Sequence, residues 1–304
     1  MTRVLADVGQ TGLRIAWHGG RANVPVGAVH LATPGAVDRL IAQVVGACAQ
    51  AGCARPELLL MGVSGWHDRA TAQALVDGLR DALGGTTVMA CRDDVTAYLG
   101  ALGPRPGVAL LAGTGVVALA SNGRTTRRVG GHGWAVDDEG GGFWVGRQGL
   151  LHAIRAHDGR GPATALLARA VARFGDADAW AGRVHQHAAT VTTVAAFSRD
   201  VAQAAGEGDV VALDIWDRAA AHLADVMVAA CELFPRRHPP AVALTGGLCA
   251  AGDVLVGPLT RRLAPLGLTP CPVAHGTPLD GAGFVDTATS LSLFTDQIVT
   301  TELT

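Results

Sequence analysis

The stretch VLADVGQTGLRIAW, residues 4–17, carries an apolar run into Asp7, turns through Gly9, Thr11 and Gly12, and resumes as a second apolar run. Two readings fit. Glycine-containing turns join strands in ordinary hairpins. The same turn can present backbone N–H groups to an anion while the carboxylate holds a cation beside it. Alone, the stretch favours the ordinary hairpin, so the decision lies in the rest of the chain.

Working outward, residues 3–31 read as strand, turn, strand, and a third strand around VPVGAVHL. Apolar periodicity predicts a helix over 34–52. ELLLMGVSG reads as a buried strand and 69–84 as a helix. TTVMAC is a further strand that delivers Arg92, Asp93 and Asp94 at its C-terminal end, and a helix follows over 95–102. A meander followed by alternating helix and strand fits half of an actin-like domain. The second half opens the same way: PGVALLAGTGVVALASNGRTTRRVGG reads as two strands joined by Asn122-Gly123. Helical patterns cover 145–157, 163–174, 190–206 and 209–234. AVALTGG is a strand, a helix begins near Asp253, LTPCPV is a strand, and 279–294 is helical. The expected fold class is α/β with two actin-like lobes, divided as residues 1–105 and 106–304, the last helix packing toward the first lobe.

Composition narrows the class. The chain has 304 residues, 49% hydrophobic and 16% charged, with mean hydropathy +0.29, which excludes a disordered chain. A net charge of -2 gives no basis for a nucleic-acid or membrane partner. There is no lysine, so no P-loop or Schiff-base lysine exists. The apolar stretch 108–120 is too short to span a bilayer and is broken by Gly113 and Gly115. No secretory leader pattern is visible at the N-terminus, so a cytoplasmic location is expected. The six cysteines form no CxxC pair and read as reduced thiols.

Three glycine turns carry candidate chemistry: Asp7 to Gly12 with Gly9, Gln10 and Thr11 inside it, Gly113-Thr114-Gly115, and Thr245-Gly246-Gly247. Small residues let backbone N–H groups approach phosphate oxygens. Any one of the three is matched by the need of a buried turn for glycine. Three in this order resemble the phosphate-1, phosphate-2 and adenosine segments of the actin, sugar kinase and Hsp70 superfamily. In CRDDVTAYLGAL, a carboxylate just past a strand end can take a proton from a hydroxyl nucleophile. An aspartate there can equally cap the helix; Asp93 suits the cap and Asp94 the base. Residues 130–164, GGHGWAVDDEGGGFWVGRQGLLHAIRAHDGRGPAT, set Asp137, Asp138 and Glu139 among glycines and tryptophans. Carboxylates beside aromatics suit a sugar, whose hydroxyls need acceptors and whose ring faces need apolar cover.

This stretch resembles the N-acetylglucosamine kinase branch of the BadF/BadG/BcrA/BcrD ATPase family, whose members read GGWG, then GDEGSGYWIGR, then a helix ending in DGRGP. The resemblance runs over nearly the whole chain, through DVGQTGLR, GGRANVPVG, DVTAYLGAL, LAGTGVVALA, LTGGLCAAG and PLDGAGFVDTA. It implies an ATP/sugar cleft, with ATP against Gly9, Gln10, Thr11, Gly12, Gly113, Thr114, Gly115, Gly246 and Gly247. It implies Mg2+ held by Asp7, Asp94 as general base, and an amino sugar contacted by Asn23, Asp94, Asp138 and Glu139. Ser64 and Trp134 join the substrate residues by position, and a homodimer is the implied assembly. His132 stands where the family favours Trp, Asp137 where it has Gly, and Gly141 and Val116 where it has Ser. An extra carboxylate at Asp137 would favour a cationic free amine, as in glucosamine. His185 and His187 read as a solvated loop, and Trp66, Trp144, Trp180 and Arg147 as packing residues. The rival functions are an ATPase activator of a radical dehydratase, for which no cysteine pair stands out, and a non-catalytic sugar sensor.

Overall fold

β1 (Arg3–Gly9) and β2 (Gly12–Trp17) are the two apolar runs of residues 4–17, and they pair antiparallel from Val4 opposite Trp17 to Gly9 opposite Gly12. The computed structural model describes residues 2–9, 12–24, 31, 33–66, 68–185, 190–270 and 276–301. β3 (Gly20–Val24) extends the hairpin and ends where the third strand was expected to begin; residues 25–30 lie outside the described residues. The chain continues through α1 (Ala36–Gln50), β4 (Leu58–Val63), α2 (Arg69–Ala82), β5 (Thr87–Arg92) and α3 (Asp93–Leu102). Two compact units emerge, one from Met1–Ala109, Ser121–Thr126 and Val273–Thr304, the other from Leu110–Ala120 and Arg127–Pro272.

In the first unit β4 lies parallel to both β1 and β5, and every one of its six residues is buried. That is the sequence character of a central parallel strand covered on both faces. One face packs Val4, Ala6, Leu59 and Met61 against Leu40 and Val44 of α1 and Leu75 and Leu79 of α2. The opposite face carries α3, crossed closely by α11 (Pro278–Ala282). A Cβ on Gly281 would collide with the Thr96 carbonyl, and one on Gly100 with the Thr277 carbonyl, so both glycines are required by that crossing.

The second unit holds β6 (Gly107–Ala112), β7 (Val116–Ser121), β8 (Thr126–Gly130) and β9 (Val242–Thr245), in sheet order β8-β7-β6-β9. Three strands stand where two were expected over residues 106–131. Gly113-Thr114-Gly115 is itself a turn, closed by the Gly113 N–H donating to the Gly115 carbonyl at 2.9 Å. The Asn122 turn is present, with its Oδ1 accepting from the N–H groups of Arg124 and Thr125. The helices are α4 (Gly142–His157), α5 (Ala165–Phe174), α6 (Trp180–His185), α7 (Thr190–Ala196), α8 (Ser198–Gly206), α9 (Val210–Cys231) and α10 (Asp253–Leu263). The helix expected over 190–206 divides at buried Phe197, where a tightened turn runs from its N–H to the Val194 carbonyl. The strand expected over 268–273 is not formed at Leu268–Pro270, and residues 271–275 lie outside the described residues.

The segment expected as one helix over 279–294 is two, α11 and α12 (Ala288–Leu293), the second opened by a Thr287 cap. A short edge strand not anticipated from sequence, β10 (Ile298–Thr300), pairs antiparallel with β5 and completes a six-stranded sheet, β10-β5-β4-β1-β2-β3. No helix among the described residues is long and apolar enough to cross a membrane.

Candidate functional site

Register brings the first group of residues together. Val8, Val63 and Arg92 lie side by side on β1, β4 and β5, so the chain leaves these parallel strands at Gly9, Ser64 and Asp93. Loops at the carboxyl ends of parallel strands are where open α/β sheets build sites. The Ser64 N–H donates to the Val8 carbonyl at 2.8 Å, which ties two of these exits together. Gln10, Thr11 and His187 lie outside the described residues.

Asp7, 3% exposed, sits two residues before the end of β1. Arg14, directly opposite on β2, donates Nη1–H to its Oδ2 at 2.7 Å. Burial pushes the Asp7 carboxyl above its ordinary pKa, against the lowering pull of Arg14. Asn23 stands opposite Arg14 on β3, exposed, so Asp7, Arg14 and Asn23 form a row across three strands on one face.

Asp93 and Asp94 open α3, where the helix dipole favours negative charge. Neither is the cap: that position is Arg92, whose side chain makes no capping hydrogen bond. Arg92 instead forks onto Asp94, Nε to Oδ1 and Nη2 to Oδ2, both at 3.2 Å. Asp94 is buried and Asp93 is half-buried.

In the second unit the Gly113–Gly115 turn is packed against the acidic segment. The N–H groups of Gly142 and Phe143, at the start of α4, donate to the Gly113 and Thr114 carbonyls at 2.8 and 2.9 Å. Asp138 has φ 65°, a conformation rare outside glycine and asparagine, which turns its side chain back onto the turn. Its Oδ1 accepts the Val116 N–H at 3.0 Å, and a Cβ on Gly115 would collide with its carboxylate. Burial raises its pKa above the ordinary value, opposed by the Val116 N–H. Its neighbours behave differently. Asp137 accepts the His132 N–H through Oδ2 at 3.1 Å, whereas Glu139 is exposed and lies 3.5 Å from Nδ1 of His222 on α9. Gly140, at φ 83°, packs directly on the Ala219 carbonyl and the His222 Cβ. Trp134, half exposed, leans on Phe143 with ring centroids 5.0 Å apart. Gly246, at φ 106°, packs on the backbone of Ala112, which places the end of β9 beside the end of β6.

The turn glycines divide into two kinds. Gly115 and Gly246 have no room for a side chain. Gly9, Gly113 and Gly247 have no left-handed φ, and among the described residues a Cβ there would meet nothing nearer than 3.9 Å, with open space at Gly113 and Gly247. Among the described residues, neither backbone nor packing requires glycine at those three positions. As to metal, no group of three His, Cys, Asp or Glu among the described residues forms a cage. A lone carboxylate such as Asp7 suits Mg2+, which keeps waters and takes phosphate oxygens for most of its shell. The five described cysteines are free thiols. Sequence reasoning missed Arg14, Arg92, His222 and Gln297, because each acquires its meaning only from a partner on another strand or helix.

A model of the BadF/BadG/BcrA/BcrD ATPase family matches residues 23–257. An N-acetylmuramic acid/N-acetylglucosamine kinase from Clostridium acetobutylicum is 25% identical over 194 residues, 62% of this chain; the match spans 63% of that relative's length. A solved structure from Chromobacterium violaceum, provisionally named an N-acetylglucosamine kinase, is 25% identical with a TM-score of 0.70, covering 92% of this chain and 97% of its own. Another from Porphyromonas gingivalis, with the same provisional name, is 18% identical with a TM-score of 0.72 over 93% and 98%.

Proposed function

Because the chain belongs to the BadF/BadG/BcrA/BcrD ATPase family, we propose that it is an ATP-dependent amino-sugar kinase that phosphorylates the 6-hydroxyl of N-acetylglucosamine or glucosamine. The observation that carries this reading is the set of glycines that the fold does not require. Gly9, Gly113 and Gly247 leave space at their missing side chains, in three turns suited to phosphate. Glycine in such a turn lets the phosphates of a nucleotide approach the backbone N–H groups without a side chain in the way.

In this reading ATP would supply the phosphoryl group, and Asp7 would hold the Mg2+ that neutralises its phosphates, directly or through water. Asn23, Ser64, Trp134, Asp138 and Glu139 hold the sugar. Of these, Asn23, Glu139 and Trp134 are the exposed groups, Glu139 an acceptor for hydroxyls and Trp134 an apolar cover for a ring face. Asp94 accepts the hydroxyl proton as that oxygen attacks phosphorus. One observation favours a second assignment of this step. The Asp94 side chain is 2% exposed with both oxygens on Arg92, while Asp93, beside it, is half-buried. In that assignment Asp93 takes the proton and Asp94 is the buried anchor.

The test is a coupled ADP-release assay with Mg-ATP and a panel of N-acetylglucosamine, glucosamine, N-acetylmannosamine, N-acetylmuramic acid and glucose. ADP release that depends on an amino sugar is expected. Folded, ATP-binding protein that no sugar stimulates would sink the reading. Asp93→Asn and Asp94→Asn then separate the two assignments. The base variant should fold, bind sugar and lose turnover by about 100-fold or more, the range of a lost general base.

A further inference from the structure

Arg92 occupies a helix N-cap without capping it. Serine, threonine, aspartate and asparagine are favoured there because their short side chains reach the first free N–H groups. An arginine forgoes that stabilisation, so its side chain is employed elsewhere. Two nitrogens on one edge of its guanidinium, Nε and Nη2, reach Asp94, at 3.2 Å each, and Nη2 also donates to Oε1 of Gln297 at 3.1 Å. Gln297 in turn donates Nε2–H to Thr126 Oγ1 at 2.9 Å, so both ends of its amide are engaged.

The placement of Gln297 is not accidental to the fold. It immediately precedes β10, and the antiparallel register of β10 on β5 sets Ile298 opposite Cys91. One step further along the same register sets Gln297 beside Arg92. Ile298 and Val299 are buried, which anchors this short strand. A segment some 200 residues away in sequence therefore reaches back to the residue that grips the Asp93-Asp94 turn.

We propose that Arg92 is a positioning residue for the proton-accepting carboxylate, holding Asp94 and thereby the first turn of α3, and that Gln297 of the C-terminal segment fixes Arg92. A planar fork specifies the orientation of a carboxylate in a way that a lysine ammonium does not. The inference rests on the kinase reading above and assigns Arg92 no contact with substrate. It holds whether the proton goes to Asp94 directly or to Asp93 on the turn that Asp94 anchors.

The experiment compares wild type with Arg92→Ala, Arg92→Lys and Gln297→Leu, measuring kcat, sugar KM, sugar affinity without nucleotide, and thermal midpoint. Misplaced catalytic groups cost about 10- to 100-fold in turnover. That loss is expected in kcat for Arg92→Ala, with sugar affinity nearly unchanged and with partial recovery on adding guanidinium at a sub-denaturing concentration. Arg92→Lys keeps the charge and should recover little. Gln297→Leu should lose a few-fold in kcat and keep its fold, which maintains the test if Arg92→Ala unfolds. Unchanged kcat in Gln297→Leu together with unchanged kcat in either Arg92 variant overturns the proposal. So does a loss in Arg92→Ala that guanidinium does not restore and that falls equally on sugar affinity. Wild-type protein without sugar-dependent turnover removes the kinase reading itself, and this inference with it; the wild-type arm tells the two failures apart.

Discussion

Each of the two sheets has a buried carboxylate beside a turn between strands, and the two carboxylates are held in different ways. Beside the first turn, Asp7 is held by a side chain, the half-exposed guanidinium of Arg14. Beside the second, Asp138 is held by the backbone N–H of Val116. A guanidinium on a long side chain can move aside for another cation. A backbone N–H inside a strand cannot, because moving it breaks the sheet. The partner of Asp7 is therefore the more easily displaced of the two, although both carboxyls are pushed up by burial. A carboxylate at a turn says little about its role until its partner is known.

The sharpest way to break this contrast is at the glycines. Gly115→Ala would drive a methyl group into the Asp138 carboxylate, whereas Gly113→Ala would point into open space. Overpacking a site that cannot relax costs about 3 kcal/mol, so Gly115→Ala should lower the chemical-denaturation midpoint clearly. Gly113→Ala should leave that midpoint unchanged and weaken ATP binding, measured by calorimetry. Equal stabilities for the two variants would mean that Asp138 does not brace the turn.

A smaller effect is expected at the other turn. Arg14→Met removes the cation that donates a hydrogen bond to Asp7 among the described residues. Losing a charged partner of a buried group costs about 2 kcal/mol. The sign with pH follows from ionisation. Without Arg14 the Asp7 carboxyl is raised further, and protonation relieves its burial as pH falls. The deficit of Arg14→Met against wild type should shrink toward acidic pH in urea titrations. Adding Asp7→Asn to Arg14→Met should recover much of the loss, since a neutral amide needs no cation. A double-mutant cycle with no coupling would show that Arg14 and Asp7 do not support one another.

These turns also show what was legible in the chain. The first hairpin was readable because two apolar runs flank Gly9 and Gly12, and the buried run LLLMGV reads as a covered strand. The glycine segments were readable as turns, but which glycines the fold requires was not, since that depends on atoms from remote segments: Asp138 for Gly115, Ala112 for Gly246. Asp137, Asp138 and Glu139 are indistinguishable locally. Only the left-handed backbone at Asp138 buries one of them and leaves Glu139 exposed. β10 was missed because three residues carry too little periodicity, and its pairing with β5 closes over a long sequence separation. Arg92 read as part of a strand end, and nothing nearby in sequence announces Gln297.

The smallest and most discriminating effect concerns the charge on Asp138 itself. Its carboxyl is raised in the folded protein by burial, opposed by the Val116 N–H, from an ordinary value of 3.8. A group raised in this way favours the folded state most below its unfolded pKa, and that advantage is lost as pH rises through the folded value. Asp138→Asn keeps an acceptor for the Val116 N–H and removes the titration. Its thermal midpoint relative to wild type should therefore be higher at about pH 7 than at about pH 4, where wild-type Asp138 is itself becoming neutral. The gap should stay small, under about 1 kcal/mol, because the brace is a single hydrogen bond. A gap that does not vary with pH would show that Asp138 pays no penalty for its charge.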